Sequence, residues 1–148
     1  MPSRREIFRI VDANFNRSRE GLRVCEEITR FMMNSSALTK ELKALRHGIT
    51  GIIRSSPGIA KECLESRNSI SDCGRAPDFE IEASRREAAD IFSANIERVK
   101  ESIRVLEEFF KLINVALSAK LSRLRFKTYD IEKKALKRLS KFKEDVTR

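Results

Sequence analysis

A chain of 148 residues with 36% charged positions, five glycines, three prolines, three cysteines and no tryptophan is large enough to bury a core without disulfides or a structural metal. Ala, Leu, Ile, Glu, Lys and Arg dominate, which excludes a sheet-rich or disordered chain and predicts an all-α protein. The net charge of +9 raises nucleic-acid binding, but +7 of it lies from Lys120 onward, where eleven Lys or Arg face four Asp or Glu, and the body is nearly balanced.

Ser3 with Glu6 forms a capping-box pattern, and apolar positions then recur at helical spacing through Ile10, Val11, Phe15, Leu22, Val24, Ile28 and Phe31, predicting a long first helix. Asn34, Ser35 and Ser36 end it and cap a second helix carrying Leu38, Leu42, Leu45, Ile49, Ile52 and Ile53, which stops near Ser55-Ser56-Pro57-Gly58. A short helix is expected over Ile59 to Glu65. Residues 66–80 have no period and are full of turn formers, so they read as the one substantial loop. The third long helix is predicted from near Ala83 to about Ile113, and the fourth, after a turn at Asn114, carries Leu117, Leu121, Leu124 and Ile131. Residues 134–148 form a basic tail, read as a solvated helix end with RNA or an acidic partner as the alternative.

The most informative pattern is an internal repeat. Ala13 to Glu27 and Ala94 to Glu108 share eight of fifteen positions in the form Ala-Asn-x-x-Arg-x-x-Glu-x-x-Arg-Val-x-Glu-Glu, where chance would match about one. Leu42-x-x-Leu45-Arg46 is echoed by Leu121-x-x-Leu124-Arg125. The repeated unit therefore spans about 9–54 and 90–134 within a single helical domain, 1–148. Two helical hairpins related by a pseudo-twofold axis, giving a bundle of four long helices, are the economical architecture, with an intertwined dimer as the alternative.

On a helical wheel Asn14, Arg17 and Glu20 share a stripe with Ile10, Ala13, Gly21, Val24, Ile28 and Phe31; Asn95, Arg98 and Glu101 do the same in the second copy. Polar groups are thereby expected on core-facing surfaces, with Gly21 and Ser102 allowing close helix approach. Buried ionic groups need compensation, and two arrangements supply it: crossed pairs of Arg17 with Glu101 and Arg98 with Glu20, or a phosphate-sized anion held by Arg17 and Arg98. Arg23, Glu26 and Arg30 read as surface, with Glu26 paired to Arg30. His47, the only histidine, reads as structural or as a proton-transfer group. Arg67, Asn68, Asp72, Gly74 and Arg75 suit either a turn or a lid over a phosphate.

Cys25, Cys63 and Cys73 have no metal-ligand spacing and no signal-peptide or membrane-spanning stretch is present, so a cytoplasmic protein is expected, with a Cys63 to Cys73 pairing as a minor option. No Walker-type loop, Gly-x-Gly-x-x-Gly or His-Glu-x-x-His motif occurs, which excludes a P-loop nucleotidase and leaves phosphate handling to Arg, Lys and helix ends.

Taken in order, Arg9-x-x-Asp12-Ala-Asn14-x-x-Arg17-x-Arg19-Glu20-Gly21-x-Arg23-x-x-Glu26-Glu27, Leu45-Arg46-His47, Arg67-Asn68, Asp72-x-Gly74, Ala94-Asn95-x-x-Arg98-x-x-Glu101, Glu107-Glu108 and Leu124-Arg125 resemble one family. It is the small hydroxymethylpyrimidine phosphate kinase that occurs alone or fused to the amino end of thiamine phosphate synthase. The resemblance covers about Arg9 to Lys133; Asn68 and Cys73 depart from its pattern. It implies ATP- and Mg2+-dependent phosphorylation of the hydroxymethylpyrimidine monophosphate to the diphosphate. On this reading Arg17, Arg46, Arg67 and Arg98 are expected on phosphates. Asp12, Glu20 and Asp72 go to magnesium or the attacking oxygen, Asn14, Asn95 and Glu101 to the substrate, and His47 stands in reserve as a base. A homodimer and association with thiamine phosphate synthase are further expectations. The competing functions are a non-catalytic dimerisation or regulatory module for that synthase, and a basic nucleic-acid-binding helical protein.

Overall fold

Ser3 Oγ accepts from Glu6 N–H at 3.2 Å and Glu6 reaches back to Ser3 N–H, so α1 (Arg4–Glu27) starts on the capping box its sequence carries. α1 passes into a π-helical turn, Ile28–Met32, closed by Met33 N–H on the Ile28 carbonyl at 3.0 Å. Asn34 then takes a left-handed φ of 50° and Ser35 caps α2 (Ser36–Arg54) through Leu38 N–H. α3 (Pro57–Ser66) opens on proline, whose missing N–H costs nothing at that position. α4 (Ala88–Phe110) and α5 (Val115–Val146) follow, with Asn114 Oδ1 accepting from Leu117 N–H at 3.2 Å at the turn between them.

The computed structural model describes residues 1–75 and 85–146. Among them it is all-α, as expected, and holds no strand. The expected start of the third long helix near Ala83 and the end of the 66–80 loop lie outside the described residues. α1 packs along α4 and also against α2 and α3, while α5 lies on α4 and α2. No described helix is long and apolar enough to cross a membrane.

The rotation of the helices corrects the wheel. Residues buried on α1 are Phe8, Val11, Asp12, Asn14, Ser18, Gly21, Leu22, Cys25 and Glu26, and on α4 the stripe runs Phe92, Ile96, Val99, Ile103, Leu106 and Phe110. Both faces are turned by about one residue, roughly 100°, from the expected ones. Arg17, Glu20, Arg98 and Glu101 are consequently exposed, as are Phe31 and Leu112. Arg17 reaches Asn14 Oδ1 at 3.4 Å on its own helix and not Glu101, so the inward-facing ladder with that crossed pair does not form. The true stripe is masked by the polar residues Ser18 in α1 and Thr29 in the turn that follows it, whose hydroxyls are satisfied by the Phe15 and Glu26 carbonyls.

Buried charge is supplied instead by Glu26 and Glu107, equivalent residues of the repeat. Glu26 accepts two bonds from Arg46, 2.7 and 3.1 Å, and Glu107 pairs with Arg125. Glu26, expected at the surface beside Arg30, is thus one of the most enclosed carboxylates. The Glu26 bonds outweigh the opposing effect of burial and raise the Arg46 guanidinium above its ordinary range. Each pair joins the two helices of one hairpin. The equivalent asparagines also behave alike: Asn14 donates to Ile10 O at 2.9 Å and Asn95 to Ile91 O at 2.8 Å.

Close approach of α1 and α4 occurs at Gly21, as expected from its size: a Cβ there would stand 2.8 Å from Val99 Cγ2 and 3.0 Å from the Asn95 carbonyl oxygen. Lys100 is buried between Glu97 and Glu132, with its ammonium 2.7 Å from Glu132 and 4.7 Å from the centre of the Tyr129 ring, which ties α4 to α5. The basic carboxyl-terminal segment is not a separate tail: Ile131, Ala135 and Leu139 are buried, Lys134 pairs with Glu41 and Arg138 donates to Ser35 Oγ at 2.7 Å. All three cysteines are free, so Cys63 and Cys73 do not pair.

Two stability tests follow from this packing. Gly21→Val is expected to destabilise by about 1–3 kcal/mol through overpacking, whereas Gly51→Ala, with open space around its Cβ, gains about 0.5–1 kcal/mol of helix propensity; urea midpoints measure both. Glu26→Ala leaves Arg46 without its carboxylate and should cost about 3 kcal/mol, while Glu108→Ala on the exposed side of α4 changes stability by less than about 0.5 kcal/mol.

Candidate active site

A solvent-open cleft of about 370 Å³ lies between α1 and the segment that follows α3. Arg9, Asp12, Asn16 and Glu20 line it from α1, one turn apart on a single face. Arg67, Asn68 and Asp72 line it from the other side. The joint is a bidentate ion pair: Arg67 Nε and Nη2 each stand 2.8 Å from an Asp12 oxygen. Asp12 is nearly enclosed while Arg67 is half exposed, so the carboxylate forms the floor and the guanidinium the wall. Hydrogen bonding to Asp12, followed by its charge, raises the Arg67 guanidinium above its ordinary value.

Local bonds shape the wall. α3 ends where Ser66 Oγ donates to Cys63 O at 2.9 Å, and the chain turns extended at Arg67, which points it back to α1. Arg9 Nη2 donates to Asn68 O at 3.1 Å. Asn68 Oδ1 accepts from Ser71 N–H, and Asp72 Oδ1 from Gly74 N–H at 2.8 Å, the side-chain-to-backbone bonds by which Asn and Asp fix turns. Asn16 donates to the Asp12 carbonyl at 3.0 Å and more weakly to its Oδ1. Formal charge at the rim is two arginines against three carboxylates.

Of the residues expected at a site, Asp12, Glu20, Arg67 and Asp72 come together here. Arg46 does not: it is on α2 and spent on Glu26. His47 is exposed on the same helix. Asn14 and Asn95 are committed to their own backbones, and Arg17, Arg98 and Glu101 sit on exposed helix faces, away from the interior in which the repeat was expected to place them. Arg9 and Asn16 also line the cleft and were not expected there, although their spacing from Asp12 and Glu20 at three and four residues marks the same face. The Glu26–Arg46 and Glu107–Arg125 pairs were also legible, since each copy of the repeat carries Glu-Glu followed by the Leu-x-x-Leu-Arg echo.

The residues present do not fit a protein-held magnesium ion. Both Asp12 oxygens are engaged by Arg67, one Asp72 oxygen is engaged by Gly74, and among the described residues no three His, Cys, Asp or Glu side chains come near enough to hold a metal. The expected grouping of Asp12, Glu20 and Asp72 as metal ligands is corrected accordingly.

An all-helical chain with a buried acid-arginine pair opening on a polar cleft defines the class; comparison with known proteins gives the family. The sequence profile of the ThiD2 family matches residues 9–134, and the chain belongs to that family. Thiamine-phosphate synthase of Synechocystis sp. is 37% identical over 126 residues, covering 85% of this chain and 35% of that protein. The Prochlorococcus marinus protein of the same name is 36% identical over 138 residues, 93% of this chain and 37% of its own. That of Thermosynechococcus vestitus is 38% identical over 124 residues, 84% and 34%. The chain thus spans about a third of the length of the curated relatives it matches. No solved structure matches it.

Cys63 lies beneath the site, where burial, and then the charges of Asp12 and Glu62, push its thiol up to about 12. Burial in the α1–α4 contact likewise pushes Cys25 up to about 12. Only a thiolate attacks a disulfide reagent, so a native thiol titration at pH 8 is expected to count one reactive cysteine, the exposed Cys73, and three after unfolding. Fast labelling of Cys63 in the native protein would contradict the closed floor.

Proposed function

We propose that this protein transfers a phosphoryl group from ATP to hydroxymethylpyrimidine monophosphate, giving the diphosphate used in thiamine biosynthesis. The observation that carries this reading is the Asp12–Arg67 cleft: in a ThiD2-family chain, four residues singled out by the family resemblance meet in one open site. Relatives named thiamine-phosphate synthase support the pathway, because a domain joined to such an enzyme is well placed to supply its pyrimidine substrate.

The chemistry divides naturally over this cleft. The Asp12 pair uses two of the five N–H donors of Arg67 and leaves three for a phosphate. Glu20 and Asp72 accept hydrogen bonds from the amino group of an aminopyrimidine. In the transfer, an oxygen of the substrate phosphate attacks the γ-phosphorus of ATP. The bond from that phosphorus to the bridging oxygen breaks, and its electron pair leaves on ADP. The attacking oxygen belongs to a phosphate monoester whose second pKa is about 6, so it is already anionic near neutral pH and needs no base. His47 is therefore dispensable to the step. What the protein supplies is charge neutralisation and alignment, with magnesium entering as the nucleotide complex. A substrate without the phosphate would leave guanidinium donors unpaired, which disfavours the free alcohol.

The test is incubation with ATP, magnesium and the pyrimidine monophosphate. ADP and the pyrimidine diphosphate should form in equal amounts, with the free alcohol a poor substrate. Arg67→Ala should lower kcat/KM at least about tenfold, Arg67→Lys should recover part of it because an ammonium cannot bond two oxygens in parallel, and Arg104→Ala should leave it unchanged. Absence of both products would remove the kinase reading and favour a non-catalytic module acting beside the synthase.

A further inference from the structure

A second cleft, about 430 Å³, opens at the tip of the first hairpin, where the π-helical turn meets the start of α2. It is lined by Arg23, Arg30, Lys40 and Lys43 together with Glu26 and Glu27. Both carboxylates are already engaged, Glu26 by Arg46 and Glu27 by Arg23. Among the described residues no carboxylate is within ion-pair distance of Arg30, Lys40 or Lys43, and Arg138 closes on the rim through Ser35. Three cations around one open cavity are left without counter-charge, an arrangement that repels itself unless an anion joins it.

The repeat supplies an internal control. Glu27 corresponds to Glu108, 81 residues on, but Leu42 corresponds to Leu121, 79 residues on. The first half therefore carries two additional residues between these points, and that is where the π-helical turn and left-handed Asn34 occur; π-turns recur at functional sites. On the second register Lys40 and Lys43 match Ala119 and Ser122. The same scaffold, built twice, holds the lysines only once, so the fold itself does not demand them.

The two clefts adjoin. Asp12, Asn16, Glu20, Arg23 and Glu27 step by three or four residues along one face of α1, and Arg30 follows in the π-helical turn. Glu20 lines the first cleft and Arg23 the second, one turn apart, or about 5 Å. Arg19, next to Glu20, lines neither cleft: it is part-buried with its guanidinium 5.2 Å from the centre of the Phe15 ring, and its Nε has no solvent contact and no hydrogen-bond partner. We infer that the tip cleft holds an oligophosphate, that of the phosphoryl donor on the kinase reading, with Arg30, Lys40 and Lys43 on its phosphate groups.

The identity of the nucleotide rests on the kinase reading, whereas the oligophosphate site does not. Calorimetry on the full chain would measure binding of ATP, inorganic tripolyphosphate, AMP and a single-stranded RNA oligomer to the wild type and to the Lys40→Ala, Lys43→Ala double variant, with circular dichroism confirming the fold. ATP and tripolyphosphate should bind and AMP weakly, and the double variant should weaken both by about tenfold or more. Lys40→Arg with Lys43→Arg should retain them. In the kinase assay the double variant should raise KM for ATP while leaving KM for the pyrimidine monophosphate unchanged. Binding lost as expected in a protein without kinase activity would uphold the site and remove the function. Full kinase activity with an unaltered KM for ATP, failure of the wild type to bind ATP or tripolyphosphate, or a loss confined to RNA would overturn the site.

Discussion

Two buried carboxylates set the geometry of this protein. Glu26 and Glu107 are each about 5% exposed at the side chain, and their arginine partners about 15%. A carboxylate so far from water is tolerated only with a close cation and satisfied oxygens, so each hairpin can close in the register that brings Arg46 to Glu26 or Arg125 to Glu107. That requirement also fixes the rotation of α1. Asp12 lies fourteen residues before Glu26, close to four helical turns, and the rotation that turns Glu26 to α2 therefore turns Asp12 to α3. Arg67 then meets it from the end of α3. The ion pair that holds a hairpin and the one that floors the cleft are consequences of one helix phase.

The same phase gives the polar side chains of α1 two different duties. Some are closed inside pairs, as Glu26 and Asp12 are, and contribute to a unique packing. Others on the adjoining edge, Arg9, Asn16, Glu20 and Arg23, remain open to solvent in clefts. The acidic rim of one cleft and the cationic rim of the other differ in what they can hold. Carboxylates suit the amino group of a pyrimidine, and unpaired lysines suit phosphate, so the proposed donor and acceptor would be sorted by charge before any reaction. Duplication alone would not have produced this division. Divergence between the halves, chiefly the two additional residues after Glu27 and the lysines of α2, made one hairpin tip unlike the other.

Much of the architecture was legible from local chemistry. Ser3 with Glu6, Ser35 and Asn114 act on N–H groups within three residues, so helix starts could be read directly, and the repeat announced two hairpins. Asp12, Glu20, Arg67 and Asp72, expected together through the family pattern, line one cleft. Helix phase was misread, and with it Arg17, Arg98 and Glu26. Periodicity weights apolar residues, while the buried face of α1 includes Asp12, Asn14, Ser18, Glu26 and the following Thr29. Those groups look like surface until their partners are known. On α4 the apolar run Phe92, Ile96, Val99, Ile103, Leu106 and Phe110 marks the buried face, which also holds Lys100, Ser102 and Glu107.

The sequence by itself determined that the chain is helical, where its first, second and last long helices begin, and that it carries an internal repeat, because caps, turns and repeats act between neighbours along the chain. Which side of each helix faces inward, and hence which charges pair and which line clefts, was decided only in the folded molecule. Arg46 is twenty residues from Glu26, and Arg67 is fifty-five from Asp12. The free energy that makes a buried carboxylate acceptable comes from a guanidinium brought alongside by tertiary packing, and no local pattern encodes that meeting.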